Sequence, residues 1–378
     1  MTLPYYGGQG KLPEPVKLMT EVRDVLYQLN QRHEIPSDLL QLAFRGVLEQ
    51  DDERARDVLL GQLLTGMMVK GPTVSEVHAL LTVALSFDGV LQHPKVRPNL
   101  PEGRKLVAAV GSGKKGIKTI NITTPAMITA ASLGAYVAKP GSSSTSSLTG
   151  SADLIRALGA HVDLPLQQAV RVLEKTGIGF YCIENRIPEF DKRYGGRFHA
   201  PHALSFGLAA LVNPLEVDRL LYGLSHPDLE LSAKVLREFG ILNAMVVTST
   251  SDGIHYVDEV GVSGETRMIQ MTDGGIHKPA VLKPADLSLP DYRPESIAQG
   301  RNIEENVQFA RNVLSGDGAS AHEDVVAVNA GMLLYLSGLV EGIREGYFQA
   351  KGALRKGRAM DKLQEFVECT NQFRAAAS

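Results

Sequence analysis

Residues 106–116 read LVAAVGSGKKG, and residues 118–124 read KTINITT. The first run is apolar as far as Val110, which predicts a buried strand, and the three glycines that follow within six residues predict a tight loop. Without a Cβ, such a loop brings backbone N–H groups close to an anion. Asn121 and the two nearby threonines predict the capped start of a helix over residues 125–133, where free N–H groups favour phosphate.

A second polar loop follows after a short predicted strand. Residues 139–147 read KPGSSSTSS, and residues 149–153 read TGSAD. The order is then strand, glycine loop, helix, strand, lysine, hydroxyl loop and helix, which is typical of a βαβ unit whose two polar loops lie at the same end of the sheet. Each part alone is a weaker signal, because glycine turns, serine-rich linkers and surface lysines are common. Together they predict a site for a ligand with phosphates and sugar hydroxyls.

The ordered set resembles the anthranilate phosphoribosyltransferase family, whose first loop reads Gly-Thr-Gly-Gly-Asp, followed by Asn-Ile-Ser-Thr and Lys-His-Gly-Asn-Arg. Residues 146–153, SSLTGSAD, resemble its Ser-Ser-x-x-Gly-Ser-Ala-Asp phrase. The resemblance implies an α/β chain of the nucleoside phosphorylase/phosphoribosyltransferase-type fold. We expect a small N-terminal helical subdomain over residues 1–90, a linker over residues 91–104, and a large α/β domain with a mixed sheet over residues 105–378. The late helices, residues 304–369, are expected to pack on both parts.

Composition narrows the class of protein. The formal net charge of −3 gives no basic balance that would indicate a nucleic-acid partner. The spacing of Cys182 and Cys369 supports neither a metal motif nor a disulfide, so two reduced thiols are expected. No apolar run approaches the roughly 20 residues of a membrane span, and the N-terminus lacks the apolar core of a signal peptide. We expect a cytoplasmic protein without a membrane partner.

The remaining pattern gives a coarse map of elements. Helical periodicity covers most of residues 16–90. The resemblance implies a homodimer, because the family dimerises through this region. Further along, the sequence predicts a strand over residues 178–183, a charged loop over residues 184–197, a helix over residues 215–224 and a strand over residues 243–248.

The resemblance implies transfer of phosphoribose from 5-phosphoribosyl 1-diphosphate (PRPP) to a small acceptor, with release of diphosphate. It assigns PRPP binding to Gly111, Ser112, Gly113, Asn121, Thr123, Thr124, Lys139, Ser143 and Ser147.

Residues 251–259, SDGIHYVDE, resemble the family's Asp-Gly-x-x-Glu/Asp-Glu segment, which carries its metal-binding carboxylates. Mg²⁺ prefers hard oxygen ligands and commonly takes one or two carboxylates plus substrate phosphates. Asp258 and Glu259, with Thr123 nearby, are therefore expected to hold Mg²⁺. Adjacent acids on a loop are often only surface charge, but their place after a strand favours the metal interpretation. No His/Cys cluster indicates zinc.

The acceptor is expected to differ from anthranilate. Residues 202–214 resemble the family phrase Arg-Thr-Ile-Phe-Asn-Leu-Leu-Gly-Pro-Leu-Thr-Asn-Pro, and its arginine, which holds the anthranilate carboxylate, falls on His202. A guanidinium can bind a carboxylate through two parallel hydrogen bonds, whereas an imidazole cannot. The alternative is a shifted register in which Arg197 takes the place of the family's arginine and holds the carboxylate. The residues predicted to bind the acceptor are Ser142, His202, Glu184, Glu189 and Asp191, and His202 is also the candidate catalytic base.

Several functions stay open at this point. The acidic loop favours a polar, cationic acceptor such as an amino-sugar hydroxyl of an aminoglycoside antibiotic pathway. The alternatives are anthranilate phosphoribosyltransferase proper, a nucleoside phosphorylase-like enzyme and a non-catalytic nucleic-acid-binding homologue. The net charge of −3 argues against the last, because phosphate contacts need a basic surface.

Overall fold

The N-terminal part of the chain is helical, as its periodicity predicts. The computed structural model describes residues 14–143 and 148–375. Contacts divide the chain into two compact units, Met1–Val83 and Ala84–Ser378. The first four helices are α1 (Glu14–Asn30), α2 (Ser37–Leu48), α3 (Glu53–Lys70) and α4 (Val74–Ser86).

A buried carboxylate organises the turn between α3 and α4. Glu76 is fully buried and pairs with Lys70 at 2.7 Å. It also accepts hydrogen bonds from the backbone N–H groups of Ile35 and Thr73, both at 2.8 Å. A buried charge with this many partners holds the Lys-Gly-Pro-Thr turn in place.

The second unit contains a mixed sheet. Its strands are β1 (Leu106–Gly111), β2 (Tyr136–Gly141), β3 (Ile178–Cys182), β4 (Arg219–Gly223), β5 (Ala244–Thr250), β6 (Tyr256–Val257), β7 (Glu265–Thr272), β8 (Gly275–Ile276) and β9 (Ala280–Leu282). The order is β3-β2-β1-β4-β5-β7-β8, with β6 beside β5 and β9 beside β7. The first five strands in this order run parallel, and β7 runs antiparallel to β5. The mixed sheet confirms the predicted fold class.

Helices cover this sheet. They are α5 (Thr123–Ala131), α6 (Ser151–Ala157), α7 (Leu166–Thr176), α8 (Pro188–Tyr194), α9 (Leu208–Leu211), α10 (Leu229–Glu238), α11 (Ile303–Ser315), α12 (Ser320–Ser337), α13 (Ile343–Arg355) and α14 (Arg358–Ala375). Helix α12 is buried on nearly every side and packs against α5 and α13, so it forms the centre of this core. Among the described residues, no helix is both long and apolar enough to cross a membrane.

Two predicted elements are wrong. Residues 219–223 form strand β4, whereas the sequence predicts a helix over residues 215–224; β4 lies between β1 and β5, with Leu221 opposite Ala109 and Met245. A central parallel strand is buried on both faces, so its apolar run lacks the alternation that separates strand from helix. The predicted charged loop also contains helix α8, which begins at Pro188.

The parallel strands bring the two predicted polar loops together. Strands β1 and β2 pair in parallel and are joined by α5, so the segments that follow Gly111 and Gly141 leave the sheet at the same edge. Strand β4 ends beside β1, with Gly223 opposite Gly111. This edge carries the candidate site.

Candidate active site

The first cavity lies at the carboxyl ends of β1 and β2 and has a volume of about 160 Å³. Its walls come from the glycine loop after β1, the start of α5, the end of β2, and the segment after β6. Four lysines face two carboxylates among the described lining residues, so the formal charge of the cavity is positive by two. These charged residues are Lys114, Lys115, Lys118, Lys139, Asp258 and Glu259. Such a cavity suits a ligand with more than one negative charge.

The glycine loop uses its N–H groups differently from the sequence prediction. The N–H of Ser112 donates to Gly223 O at 2.9 Å, and that of Gly113 donates to Asp258 Oδ2 at 2.8 Å. The N–H of Gly116 donates to Tyr256 O at 2.8 Å. These three groups therefore fix the loop to the protein and do not point at a ligand.

Asp258 approaches the backbone of two strands, with its carboxylate beside Gly111 and its backbone carbonyl beside Gly223. A Cβ on Gly111 would overlap Asp258 Oδ2, and a Cβ on Gly223 would overlap the Asp258 carbonyl oxygen. Glycine is required at both positions because only it allows this close approach. The ends of β1 and β4 are thus shaped around one acidic residue.

Lys115 joins the two acids of the cavity. Its Nζ lies 2.7 Å from Glu259 Oε1 and 3.7 Å from Asp258 Oδ1, and it also donates to Thr119 Oγ1 at 3.0 Å. Burial alone would lower the pKa of Lys115, but the two carboxylates outweigh burial and raise it. Lys115 is therefore charged at neutral pH. Burial, together with the charge of Asp258, raises the pKa of Glu259.

Lys139 stands at the end of β2 with its side chain almost completely buried. Burial lowers the pKa of Lys139 to about 8, although Glu259 and Asp258 partly offset this effect. Burial also lowers the pKa of Lys114 to about 8, with Asp258 opposing. An anion that binds beside these ammonium groups would raise both pKa values again, so both lysines favour an anionic ligand.

The start of α5 completes the first cavity. Thr123 and Thr124 line it at the helix N-terminus, where the first N–H groups have no partner within the helix. The expected side-chain cap is not formed: the N-cap residue is Ile122, the Thr123 hydroxyl donates to Glu259 Oε1 at 3.3 Å, and Asn121 donates to Thr149 O at 3.2 Å.

A second cavity of about 140 Å³ adjoins the first. Gly111, Gly113, Lys114, Ser142 and Ile183 line both, so the two cavities meet at the glycine loop. The walls of the second cavity are largely aromatic and aliphatic, from Tyr194, Phe198, Leu204, Leu208 and Tyr222.

Two carboxylates give the second cavity an acidic side. Glu184 and Asp191 line it, and burial raises the pKa of each. Glu184 accepts the N–H of Ser143 at 2.7 Å. Lys114 is the one lysine among the described lining residues, and its Nζ lies 5.6 Å from the centre of the Tyr194 ring.

His202 contacts Tyr194, which lines the second cavity, and is not itself among the described lining residues of that cavity. Its Nε2 is 2.8 Å from the Tyr194 hydroxyl, and its Nδ1 has no hydrogen-bond partner among the described residues. Burial lowers the pKa of His202 well below its usual value, and Lys114 adds to this effect. The imidazole is therefore neutral at pH 7 and orients the tyrosine.

The chain matches known proteins along most of its length. A family model described as "Glycosyl transferase family, a/b domain" matches residues 103–360. The anthranilate phosphoribosyltransferase of Stenotrophomonas maltophilia (strain K279a) is 32% identical, with 92% of this chain and 97% of that protein covered. That of Leptothrix cholodnii is 31% identical, with 93% and 98% covered.

The chain belongs to the anthranilate phosphoribosyltransferase family.

Solved structures of this family agree with the fold. The enzyme from Thermus thermophilus is 25% identical, with a TM-score of 0.72 over 92% of this chain and 99% of that chain. The enzyme from Saccharomyces cerevisiae, solved in complex with PRPP and Mg, has a TM-score of 0.74 over 94% and 98%, and at 19% identity it shows the fold. The predicted family, fold and enzyme class, a glycosyltransferase, are confirmed.

Most of the residues that the sequence assigns to PRPP and the metal lie together. Those that line the first cavity are Gly111, Gly113, Asn121, Thr123, Thr124, Lys139, Ser143, Asp258 and Glu259. Ser112 lines the second cavity, and its Oγ accepts the N–H of Ser225 at 3.0 Å. Ser147 lies outside the described residues.

The residues that the sequence assigns to the acceptor are more scattered. Ser142, Glu184 and Asp191 line the second cavity. Glu189 points elsewhere, because its carboxylate pairs with Lys192 at 2.6 Å and Arg193 at 3.1 Å on the surface of α8.

Arg197, the alternative to His202, donates to Gly195 O at 3.0 Å. It partly offsets the effect of burial on the pKa of Asp191. The side chain of Arg197 therefore stabilises the loop that follows α8.

Sequence reasoning missed other residues of the first cavity. Lys114 and Lys115 stand in the glycine loop, where the family has Gly-Asp, and Lys118 follows the loop, but the sequence alone gives none of the three a role. Asn306, on α11, also lines this cavity and donates to Thr149 Oγ1 at 3.0 Å. The sequence gives Asn306 no role in binding, because the threonine that it contacts lies 157 positions away along the chain.

The carboxylates fit a divalent cation. Asp258 Oδ1 and Glu259 Oε2 are buried and have no hydrogen-bond partner among the described residues. Buried polar oxygens in this condition need a partner, and hard carboxylate oxygens are the ligands that Mg²⁺ prefers. The residues present therefore fit a magnesium site that substrate phosphates would complete.

Replacing Lys139 with methionine should stabilise the ligand-free protein most strongly at neutral pH. The unfolded chain keeps this proton up to a pH of about 10.5, and the folded chain only up to about 8. Between these values the unfolded state binds more protons, so folding stability rises with pH and the cost of burying Lys139 disappears. We expect Lys139→Met to gain on the order of 3 kcal/mol at pH 7, shrinking towards pH 10. Urea unfolding followed by circular dichroism measures this gain, and a gain that does not change with pH would contradict the account.

Proposed function

We propose that this chain transfers 5-phosphoribose from PRPP to a small acceptor other than anthranilate and releases diphosphate. The observation that carries the proposal is the pair of adjoining cavities: the first is positive by two in formal charge, and the second carries two carboxylates against one lysine among the described residues. One suits a polyanionic donor and the other a polar, cationic acceptor.

In the proposed reaction, the first cavity holds the leaving diphosphate. The N-terminus of α5 and the ammonium groups of Lys139 and Lys115 stabilise its charge as the bond to the anomeric carbon breaks. Mg²⁺, held by Asp258 and Glu259 with Thr123 nearby, would supply further positive charge on the diphosphate when bound.

The junction of the cavities is where the acceptor meets the sugar. Residues that line both cavities keep donor and acceptor next to each other, so the reaction gains from proximity. The ring of Tyr194 and the apolar residues beside it form the wall of the cavity proposed for the acceptor. In this proposal His202 is a positioning residue that acts through Tyr194.

The proposed acceptor is an amino-sugar hydroxyl of the aminoglycoside type, which would place the enzyme in antibiotic biosynthesis. Glu184 and Asp191 are the support, because half-buried carboxylates form charge-assisted hydrogen bonds with ammonium groups. His202 stands where the family has its arginine, and an imidazole cannot form the two parallel hydrogen bonds that a guanidinium makes to a carboxylate. A homodimer through the N-terminal helices belongs to the same proposal and is supported by the family resemblance alone.

Anthranilate is the second candidate acceptor. Relatives about 32% identical are named anthranilate phosphoribosyltransferases. Lys114 lines both cavities and offers one cation for a carboxylate, while the aromatic wall suits a benzene ring. The two candidates make opposite demands on charge, so variants of the second cavity separate them.

Donor binding should depend on magnesium and on the two acids. We expect calorimetry to show Mg²⁺-dependent binding of PRPP to the wild type, with affinity at least ~30-fold lower in Asp258→Asn and in Glu259→Gln, since each loses a buried charge that holds the cation. Glu365→Gln, which removes an exposed carboxylate on α14, is the matched control and should bind as the wild type does. No binding of PRPP to the wild type, with or without Mg²⁺, would reject the proposed function.

The acceptor should depend on the acidic side of the second cavity. We expect diphosphate release from PRPP with neamine as acceptor, and a KM for neamine at least ~10-fold higher in Glu184→Gln and Asp191→Asn, because each loses a charge-assisted contact. Lys114→Met should not raise that KM.

The opposite pattern identifies the second candidate. Turnover of anthranilate that survives Glu184→Gln and Asp191→Asn but is lost in Lys114→Met would replace the amino-sugar acceptor with anthranilate. Phosphorolysis of nucleosides without PRPP serves as a further control, and its detection would favour a nucleoside phosphorylase-like enzyme.

A further inference from the structure

Lys115 occupies an unusual place for a lysine. Its Nζ is 2.7 Å from Glu259 Oε1, 3.7 Å from Asp258 Oδ1 and 3.0 Å from Thr119 Oγ1. Its side chain is 20% exposed, and those of the two acids are 3% and 8% exposed. A cation is therefore fixed between two buried carboxylates that also line the first cavity.

The same carboxylates present two kinds of oxygen. Glu259 Oε1 is taken by Lys115 and by the hydroxyl of Thr123, and Asp258 Oδ2 is taken by the N–H of Gly113. Asp258 Oδ1 and Glu259 Oε2 have no hydrogen-bond partner among the described residues. A divalent cation binds a carboxylate oxygen at about 2.1 Å, and an ammonium at hydrogen-bond distance from that oxygen opposes this binding by repulsion of like charge.

We propose that the Lys115 ammonium takes the position of one divalent cation at Glu259 Oε1, so that the chain itself supplies one of the cations held against the donor diphosphate. The acidic pair then keeps a place for a single metal ion, at the two oxygens without a hydrogen-bond partner among the described residues, Asp258 Oδ1 and Glu259 Oε2. Its role towards diphosphate rests on the proposed function, whereas its role towards the metal does not.

This position also explains why Lys115 differs from its neighbour Lys114. Lys114 faces the second cavity and Tyr194, and among the described residues it has no ion pair with either acid at the distance that Lys115 reaches. Lys118 lines the first cavity and likewise makes no ion pair with Asp258 or Glu259 in the described part of the chain. Lys118 therefore provides a matched control: its removal subtracts the same charge from the same cavity without opening a carboxylate oxygen.

The test is titration of the ligand-free protein with Mn²⁺ alone, with free Mn²⁺ measured by electron paramagnetic resonance. We expect the wild type to bind at most one ion. Lys115→Met should bind a second ion, or bind the first at least ~10-fold more tightly, because it exposes Glu259 Oε1 and removes the competing charge. Lys118→Met should change the affinity much less and keep the wild-type stoichiometry.

Two further variants guard against a folding defect. Lys115→Gln keeps a hydrogen-bond donor beside Glu259 without the charge and should behave like Lys115→Met. Lys115→Arg keeps the charge and should behave like the wild type. Circular dichroism confirms folding before each titration. Equal Mn²⁺ binding by the wild type and both neutral variants, or equal gains in the Lys115 and Lys118 variants, would overturn the proposal.

The metal titration is independent of donor binding. A gain of Mn²⁺ in Lys115→Met together with no PRPP binding by the wild type would reject the proposed function and leave the cation role of Lys115 intact. The reverse result, PRPP binding without any change in Mn²⁺ binding, would reject the role of Lys115 and leave the proposed function intact.

Discussion

The buried carboxylate of Asp258 is the constraint on which the site depends. It accepts the N–H of Gly113, lies against the backbone at Gly111 and shares the ammonium of Lys115 with Glu259, while the backbone carbonyl of the same residue lies against Gly223. A charge buried this deeply is stable only with such partners, and removing one of them leaves it uncompensated. The glycine loop is therefore shaped by the acid behind it, and the ligand meets lysine side chains and the start of α5.

The two cavities divide the chemistry by charge. Burial lowers the pKa of Lys139 and Lys114 to about 8, so the ligand-free protein bears a cost that a polyanion offsets when it binds. Burial raises the pKa of Glu184 and Asp191 in the same way, which favours a cation in the second cavity. In the proposed function, these opposite charges would orient the donor and the acceptor, and the residues that line both cavities would set where the two substrates meet.

The family, the βαβ unit and most of the first cavity could be predicted from the sequence. The local order of glycine, hydroxyl and lysine positions is typical of the loops at one edge of a parallel sheet. The predictions that the structure contradicts concern contacts between residues that are far apart in the chain. Strand β4 has the same apolar run as a buried helix, and only its neighbours β1 and β5 decide between them. The N–H groups of the loop were expected to face the ligand, but Asp258 lies 145 positions further along the chain than Gly113 and takes its N–H.

The most direct measurement is a crystal structure with PRPP and Mn²⁺, in which anomalous scattering locates the metal. The account predicts diphosphate in the first cavity beside Lys139 and the start of α5, one Mn²⁺ on Asp258 Oδ1 or Glu259 Oε2, and Lys115 still on Glu259 Oε1. Diphosphate bound elsewhere, or Mn²⁺ on Glu259 Oε1 with Lys115 displaced, would contradict it.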